Sequence, residues 1–379
     1  LLKYNIKEED INLFLRAWNQ MNNTKECIYV GYDSTNFNTN AYGIELADYG
    51  HPKVDEGLPQ YNLAYAVNQK DSTPLFYELY DGSVIDNTEL EIMLEEAKEF
   101  GHEKLGVLMD RGYISEKNIK ALRTKGYEYI LMMKQNQRIC QEIIEEYGAA
   151  VQSVEGYYIG EHGVYGTTVK KQLYGQETNI HVYYDDIRAS EEKVALMSRY
   201  ETWEKEIEKK VAKRIATDGE MKKYRKVFKL KYDQNGYLVA YQRNSRYIKE
   251  EIRNLGFFFI ITSEEMSTSK ALDIYRGRDN IEKMFRSLKS GIDFNKARVH
   301  TTESLKSKVF VTFIAMIVRN ELFQKAEELR KKNRKAYTVP GMISELENIE
   351  CTRNSVRKYR RKYALTAKQK LILNQFDMD

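Results

Sequence analysis

A chain of 379 residues is too long for one small hydrophobic core, so two domains are expected. Apolar residues make up 42% of the chain and charged residues 31%, and the lack of a run of eighteen apolar residues argues against a membrane protein. The three cysteines and five histidines have no paired or metal-ligand spacing, which argues against a disulfide framework and a zinc site. The first four residues have neither a signal-peptide pattern nor an initiator Met, so we expect the natural N-terminus to lie upstream.

The first part of the chain has the pattern of an α/β layer. Strand-like runs alternate with segments of helical periodicity, and the polar turn Lys70-Asp71-Ser72 joins two of the strands into a hairpin. This order is typical of a sheet whose parallel strands are connected by helices. We predict strands at residues 26–33, 60–69, 73–80, 104–110 and 127–133, and helices at residues 88–99 and 115–125.

The pattern changes after this layer. Short runs rich in Tyr and Val alternate with turns, and they are accompanied by a long charged helix near residues 190–216 and a β-like run at 226–241. A strand at 257–262 then leads into a helix that Ser267 or Thr268 caps. In chain order, the predicted domains begin with a remnant of an N-terminal helical region at 1–24 and the first part of an α/β core at 25–134. A largely β insertion at 135–256 follows, and then the second part of the core at 257–335, which contains a long amphipathic helix at 302–330. The last predicted domain is a basic helical tail at 336–379.

Two stretches are strongly basic although the chain has a net charge of only +4. Residues 351–370 contain eight Lys or Arg and no acid, and residues 221–231 are similarly basic. Such stripes are typical of proteins that bind polyanions, but solvated helix faces give the same pattern. Charge alone leaves both interpretations open.

Two predicted strands end at a carboxylate, and each acid opens a polar loop. Asp33 follows the run Ile-Tyr-Val-Gly-Tyr, and Asp110 follows Gly-Val-Leu-Met. Because the carboxyl ends of adjacent strands in an open α/β sheet meet in one crevice, we expect the two acids to converge there. A single Asp at such a position is also a common turn former or helix cap.

Four side chains of the segment 275–289 fall on one face of a predicted helix, namely Tyr275, Arg278, Glu282 and Lys289. At about 100° per residue they lie within an arc of roughly 60°. The apolar residues of the segment gather on a neighbouring stripe, as a helix buried on one side requires. The face therefore combines one carboxylate, two cations and a phenol, which suits an acidic metal ligand beside a phosphate-binding surface or, alternatively, a solvated charged face.

Asp33, Asp110 and Glu282 together would form an all-oxygen site, which Mg²⁺ or Mn²⁺ prefers. Two such ions about 4 Å apart support in-line displacement at phosphorus, because one activates a water or a 3′-hydroxyl and the other stabilises the leaving oxygen. This chemistry needs no catalytic His or Cys, in agreement with the spacing of those residues in this chain.

With these motifs, the chain resembles the DDE transposases of bacterial insertion sequences. The similarity is to the branch with a Tyr-x2-Arg-x3-Glu-x6-Lys signature (the insertion-sequence-four superfamily), whose spacing Tyr275, Arg278, Glu282 and Lys289 match without a gap. The resemblance covers about residues 25–330. It also includes the predicted β-rich insertion and the segments Tyr32-Asp33-Ser34-Thr35 and Met109-Asp110-Arg111-Gly112-Tyr113.

The resemblance implies an RNase H-like catalytic core in which the three acids are the catalytic residues and metal ligands. It implies that Tyr275, Arg278 and Lys289 contact phosphates at the transposon end. Further implications are two Mg²⁺ or Mn²⁺ ions, cleavage at insertion-sequence ends followed by strand transfer into target DNA, and a homodimer in the synaptic complex. The setting would be a bacterial cytoplasm, at the nucleoid.

Some alternatives remain open at this point. Several members of the family that the chain resembles cut through a DNA hairpin and flip a base onto an aromatic ring of the inserted domain, and Trp203 is either such a ring or a packing residue of a charged helix. The chain could also be a stand-alone nuclease of the same fold or a non-catalytic DNA-binding relative. Loss of an acid would favour the last hypothesis, and all three acids are present.

Overall fold

The structure is a computed structural model in which eleven helices and thirteen strands are described. It describes residues 6–23, 27–50, 57–84, 90–102, 104–109, 114–153, 157–213, 219–291, 294, 296–333, 337–353 and 359–378. The helices are α1 (Glu8–Asn22), α2 (Leu90–Glu99), α3 (Glu116–Thr124), α4 (Arg138–Ser153), α5 (Asp186–Lys213), α6 (Ser245–Asn254), α7 (Thr268–Arg276), α8 (Asp279–Arg286), α9 (Thr302–Asn333), α10 (Val339–Glu347) and α11 (Ala367–Leu373). The strands are β1 (Ile28–Asn38), β2 (Gln60–Asn68), β3 (Pro74–Asp81), β4 (Leu105–Met109), β5 (Glu128–Met132), β6 (Tyr158–Ile159), β7 (Val164–Leu173), β8 (Gln176–Tyr184), β9 (Phe228–Tyr232), β10 (Leu238–Arg243), β11 (Phe257–Thr262), β12 (Cys351–Arg353) and β13 (Tyr359–Arg361).

The chain divides into two compact units, and both mix helices with sheet. The first unit combines Leu1–Met109 with Arg276–Asp379, and the second is Asp110–Tyr275. In the described part of the chain, no helix is both long and apolar enough to cross a membrane.

The sheet of the first unit has the order β3-β2-β1-β4. The predicted hairpin is confirmed, since β2 and β3 pair antiparallel, and β2 also pairs antiparallel with β1. On its other side β1 pairs with β4 in parallel. Eight of the nine residues of β2 are buried, so this strand lies inside the unit with both faces covered. Its Tyr61, Leu63 and Tyr65 have no exposed surface.

Helix α1 is joined to this sheet by buried polar contacts. The Asn19 amide nitrogen donates to the carbonyls of Leu15 and Leu75, at 2.8 and 2.9 Å. The Asn19 amide oxygen lies 2.7 Å from Nε2 of His102, which burial keeps at a pKa below its usual value. A buried amide that makes all these hydrogen bonds costs little to bury, and it fixes the register of α1 along β3.

The prediction that β1 ends at Asp33 is wrong, because the strand continues for five more residues to Asn38. The run Ser34-Thr35-Asn36 suggested a polar loop, yet all three residues are buried. The reason is the partner strand: β2 pairs with β1 from Val30 to Asn38 and supplies the hydrogen bonds of the backbone. Polar side chains do not prevent a strand when a neighbouring strand satisfies its backbone groups.

The sheet of the second unit has the order β5-β11-β8-β7-β6, with every neighbouring pair antiparallel. The predicted strands at 127–133 and 257–262 are confirmed as β5 and β11. These two strands pair with each other, and β11 also pairs with β8. The predicted limits of the insertion at 135 and 256 therefore do not coincide with a break in this sheet.

The prediction that residues 135–256 are largely β is wrong. Helices α4, α5 and α6 contain more of these residues than the five strands do. The prediction missed α4, although its buried residues recur at helical spacing: Cys140, Ile143, Ile144, Gly148 and Val151. The predicted charged helix is confirmed as α5, and it packs on the β9–β10 hairpin and α6 through Tyr200, Ile207, Phe228, Leu238 and Ile248.

The predicted single helix through residues 275–289 is also wrong. Ser267 caps α7, as expected, but α7 ends at Arg276 and a new helix, α8, starts at Asp279. Ser287–Gly291 then form a π-helical turn. At the break, a Cβ atom added at Gly277 would meet the end of the flexible Gln69 side chain, which would have to move aside.

The prediction of a helical tail at 336–379 is only partly right. Helices α10 and α11 pack on the end of α9 through a small core of Ala326, Leu329, Tyr337, Met342 and Ile372. Thr366 and Gln369 form a capping box at the start of α11. Between the two helices the chain forms the antiparallel hairpin β12–β13. Its Thr, Tyr and Arg residues are compatible with strands, and the basic charge gave no information on secondary structure.

We expect Gly277→Ala to destabilise the protein by about 1 kcal/mol or less, because the Gln69 side chain can change rotamer to make room. In a Gln69→Ala background the same change should be neutral, or stabilising by up to about 1 kcal/mol, because Ala favours helix over Gly. Urea unfolding of the four proteins measures this double-mutant cycle. An equal cost of Gly277→Ala in both backgrounds would contradict the steric explanation.

His181 should make the stability of the protein depend on pH. Its side chain is buried between the hydroxyls of Thr168 and Thr262, at 2.8 and 3.1 Å, and burial lowers its pKa to about 4. Since the unfolded chain binds this proton near pH 6.5, stability is lost as the pH falls from 6.5 towards 4. We expect His181 to lower the free energy of unfolding by about 2 kcal/mol between pH 7 and pH 5.

Urea unfolding at the two pH values, for the wild type and for His181→Gln, tests this expectation. The comparison cancels the groups that titrate in both proteins. If His181→Gln loses as much stability as the wild type between pH 7 and pH 5, His181 is not the source of the pH dependence.

Candidate active site

The first predicted ligand, Asp33, lies in the middle of β1 and is half-buried. Its Oδ1 accepts a hydrogen bond of 2.9 Å from the backbone N–H of Ser34. Because side chains alternate along a strand, Asp33 shares one face of β1 with Gly31, Thr35 and Phe37. Directly opposite Asp33 on β2 is Tyr65. At this position β1 is paired with β2, and its pairing with β4 ends two residues earlier at Gly31, so the backbone that carries the carboxylate is held in place.

Helix α8 and the π-helical turn cover this face of β1 and β2. A Cβ atom added at Gly31 would lie 3.8 Å from Cβ of Ile281. One turn further on, the ring of Phe285 contacts the ring of Tyr65 edge-on, with centroids 5.8 Å apart. One turn beyond that, Lys289 contacts Thr35. Ile281, Phe285 and Lys289, four residues apart in the chain, thus contact this face of the sheet one after the other. Gly31 and Thr35 are the neighbours of Asp33 on the same face of β1, so α8 and the π-helical turn pack on the face that carries Asp33.

Glu282, the predicted ligand from the helix, follows Ile281 directly and is about half-exposed. Its carboxylate forms an ion pair with the guanidinium of Arg278, one turn earlier in the chain. Glu282 also lies in the first turn of α8, where a negative charge interacts favourably with the helix dipole. The carboxylate therefore has two sources of positive potential and still faces solvent.

Lys289 reaches from the π-helical turn into the same region. Its Nζ donates a hydrogen bond of 2.7 Å to Oγ1 of Thr35, and it lies 5.4 Å from the centroid of the Phe37 ring. Thr35 is two residues beyond Asp33 on the same face of β1. The structure therefore places a cation beside the strand that carries the first acid.

Buried tyrosines form the floor of this region. Tyr65 packs against Phe313 as well as Phe285, and Tyr61 stacks on Phe37. Burial raises the pKa of Tyr65 far above its usual value, and the neighbouring Tyr77 contributes in the same direction. The phenol of Tyr65 is thus neutral at any working pH, and its contribution next to Asp33 is packing.

The remaining predicted residues are placed as follows. Asp110 and its neighbour Arg111 lie outside the described residues. Tyr275 is the penultimate residue of α7, in the second unit, and is 8% exposed, so its predicted contact with phosphate stays a prediction. Trp203 is half-buried and packs against the rings of Tyr200 and Tyr224, which favours the packing interpretation of this residue.

The sequence did not reveal one further cluster, in the second unit. Within the described residues, Glu161, His162 and Asp273 are the one group of three ligand-type side chains whose atoms lie within 4.8 Å of one another. Nε2 of His162 is 2.8 Å from Oδ1 of Asp273. The spacing of the histidines could not show this contact, because Asp273 is far from His162 along the chain. Both acids are exposed, as is common for surface ion pairs.

The chemistry of the donor set around Asp33 fits a hard divalent cation. Asp33 and Glu282 offer carboxylate oxygens, which Mg²⁺ and Mn²⁺ prefer, and water or phosphate oxygens can complete the coordination. Arg278 and Lys289 add positive charge on the same segment, as a site for an anionic phosphate requires. Side chains of these types can bind a divalent cation and a phosphodiester.

A comparison with protein-family models identifies the family of this chain. A protein-family model described as a transposase DDE domain matches residues 30–318, which include Asp33 and Glu282. A search of curated proteins gives no significant match. One similar solved chain comes from a cryo-EM structure of the piggyBac transposase synaptic complex with hairpin DNA, at 7% sequence identity and a TM-score of 0.39. The alignment covers 97% of this chain and 55% of that one, so this chain spans about half of that protein. On the family match, which covers most of its length, the chain belongs to the family of transposase DDE domains.

Proposed function

We propose that the protein is a metal-dependent DNA transposase of the Tyr-Arg-Glu-Lys branch, which cleaves DNA at insertion-sequence ends and joins them to target DNA. The observation that supports this most strongly is the packing of the Glu282 helix on the face of β1 that carries Asp33, within a chain of the DDE family. Its partners would be double-stranded DNA and a second copy of the chain in the synaptic complex.

We further propose that Asp33, Asp110 and Glu282 are the catalytic metal ligands of an RNase H-like core. Asp110 follows the last residue of β4, Met109, directly in the sequence. In the parallel pairing of β1 with β4, Gly31 lies opposite Leu108. Asp33 comes two residues after Gly31 in the sequence, and Asp110 comes two residues after Leu108. This equal spacing supports the assignment of Asp110 as the second acid. When bound, two Mg²⁺ or Mn²⁺ ions would activate the attacking oxygen and stabilise the leaving oxygen.

The side chains of the protein would hold the reacting groups in place. β1 would hold Asp33 in place, because β2 pairs with it at Asp33 and β4 pairs with it up to Gly31. The ion pair with Arg278 restricts the rotamers of the exposed Glu282 side chain. Lys289, which donates to Thr35, would donate to a phosphate oxygen next to Asp33. Pre-ordered groups of this kind lower the entropic cost of reaching the reactive geometry.

The residues that would bind DNA are Arg278, Lys289 and Tyr275. Arg278 and Lys289 carry the positive charges of the segment, and a phosphodiester would take over part of the interactions that Glu282 and Thr35 make with them. Cleavage without joining would instead indicate a stand-alone nuclease, so the strand-transfer product is the feature that separates the two functions.

We expect Asp33→Asn and Glu282→Gln to reduce Mg²⁺-dependent cleavage of end-bearing DNA by at least about a hundredfold, since even outer-shell changes at metal sites cost ten- to a hundredfold. Asp110→Asn should do the same. Removing divalent cations with EDTA should stop the wild-type reaction, and Mg²⁺ or Mn²⁺ should restore it. Product sizing on a denaturing gel gives the rates and also shows any strand-transfer product.

Asp273→Asn is the matched control for these variants, because it removes the same charge from the other cluster of ligand-type groups. It should retain cleavage within a few-fold. Wild-type cleavage by Glu282→Gln, or loss of cleavage only in Asp273→Asn, would overturn the assignment of the site.

We expect Lys289→Ala to weaken binding of end-bearing DNA and to reduce the slope of log K against log salt by about 1, since each phosphate contact releases about one counterion. Lys205→Ala is the control, because Lys205 is a lysine in the acid-rich segment of α5. Fluorescence anisotropy between about 50 and 300 mM salt, a range in which the affinity changes measurably, gives the salt slope of each variant. A salt slope equal to that of the wild type would argue against a phosphate contact by Lys289.

A further inference from the structure

The hairpin β12–β13, which we call the arm, lies between α10 and α11 in the first unit. All six of its strand residues are exposed, so both faces of the ribbon are open to solvent at residues 351–353 and 359–361. An isolated two-stranded hairpin is only marginally stable in water. The exposure of both faces therefore needs an explanation other than packing in the folded chain.

The arm is anchored at its base. The backbone N–H of Lys362 donates to the carbonyl of Glu350 at 2.9 Å, and the Lys362 ammonium lies 2.8 Å from the Glu350 carboxylate. On either side, α10 and α11 are held by the small core around Met342 and Ile372. The structure thus fixes where the arm begins and ends and leaves the side chains of its strands to solvent.

The arm is strongly basic within a nearly neutral chain. Residues 351–361 hold five Lys or Arg and no acid, whereas the whole chain has a net charge of +4. The acid at its base, Glu350, is paired with Lys362. Such a local excess of positive charge favours a polyanionic partner.

The strand register sorts the arm into two different faces. Cys351 pairs with Arg361 and Arg353 pairs with Tyr359, so these four residues share one face. The guanidinium of Arg353 lies 5.8 Å from the centroid of the Tyr359 ring, which is 68% exposed. The opposite face carries Thr352 and Arg360 from the strands. The first face, the Arg353–Arg361 face, therefore presents two guanidinium groups together with a phenol.

We propose that the Arg353–Arg361 face of the arm binds the phosphate backbone of duplex DNA without regard to sequence. The inference rests on the proposed function, because a DNA-processing enzyme supplies the polyanion. Arg binds phosphate in a bidentate manner, and Tyr adds a hydroxyl that also bonds phosphate oxygens. A two-stranded ribbon is narrow enough to enter the major groove, so both strands of the arm can approach the duplex.

Cys351 provides a probe of this face in the wild-type protein. It is exposed and lies opposite Arg361, whereas Cys140 is buried. Alkylation by N-ethylmaleimide, followed by peptide mass spectrometry, measures the accessibility of each cysteine. We expect a random-sequence duplex to slow alkylation of Cys351 several-fold at about 50 mM salt and to have no effect at about 500 mM, where phosphate contacts weaken. Equal rates with and without DNA at low salt would overturn the proposal.

Binding measurements on variants test which face is used. The double variant Arg353→Ala/Arg361→Ala should bind a random-sequence duplex about tenfold more weakly at 0.1 M salt and lower the salt slope by about 2, one for each lost contact. Arg360→Ala, on the opposite face, and the charge-matched Lys205→Ala/Lys209→Ala on α5 should bind within about twofold of the wild type. Circular dichroism confirms that the variants are folded.

Failure of this inference can be distinguished from failure of the proposed function. If the arm variant binds like the wild type while the acid variants lose cleavage, the arm is not a DNA contact and the active site stands. An equal loss of affinity in the arm and α5 variants would show a general charge effect and overturn the assignment to this face. If the wild type neither binds nor cleaves DNA, the proposed function itself is wrong.

Discussion

The packing of α8 against β1 is the contact on which the rest of the first unit depends. β1 is paired with β2 on one side and with β4 on the other, so its backbone is fixed along most of its length. Ile281 lies over Gly31, and two turns later Lys289 bonds to Thr35, so α8 and the π-helical turn follow the strand past Asp33. The break at Gly277 lets α8 take this path. The Gln69 side chain lies beside Gly277, and the side-chain amide of Asn280 donates to the Gln69 carbonyl, so the residue after β2 contacts the start of α8.

This packing separates the charged side chains from the core that supports them. Ile281 and Phe285 point into the unit and are buried, while Glu282 on the same helix remains about half-exposed. The floor below is made of aromatic rings, and Tyr65 stays neutral there because burial raises its pKa. A carboxylate at the surface of an apolar floor experiences stronger electrostatic interactions than one in open solvent. The site thus combines a rigid base with groups that a phosphodiester can reach, as proposed for phosphoryl transfer.

Much of the fold was predictable from periodicity, and the failures have physical causes. The β2–β3 hairpin, α2, α3, β4, β5, α5, β11 and α9 follow from alternating or helical patterns of apolar residues. The extension of β1 beyond Asp33 did not, because the buried Ser34 and Thr35 look like loop residues until β2 is seen to pair with them. Gly277 at the break lies beside Gln69, more than two hundred residues earlier, and such a contact leaves no local signal. The contact of Lys289 with Thr35 also joins residues far apart in the chain, so it appears only in the folded protein. The helical spacing predicted only that Lys289 lies on the same face as Glu282.

The most direct test of the central claim is to locate the metal itself. A crystal of the protein with end-bearing DNA and Mn²⁺, measured at an X-ray energy where Mn²⁺ scatters anomalously, would show each ion as a separate peak. We expect a peak within about 2.2 Å of carboxylate oxygens of both Asp33 and Glu282, the distance at which hard cations bind such ligands. Peaks confined to the cluster of Glu161, His162 and Asp273, with none beside Asp33, would contradict the account.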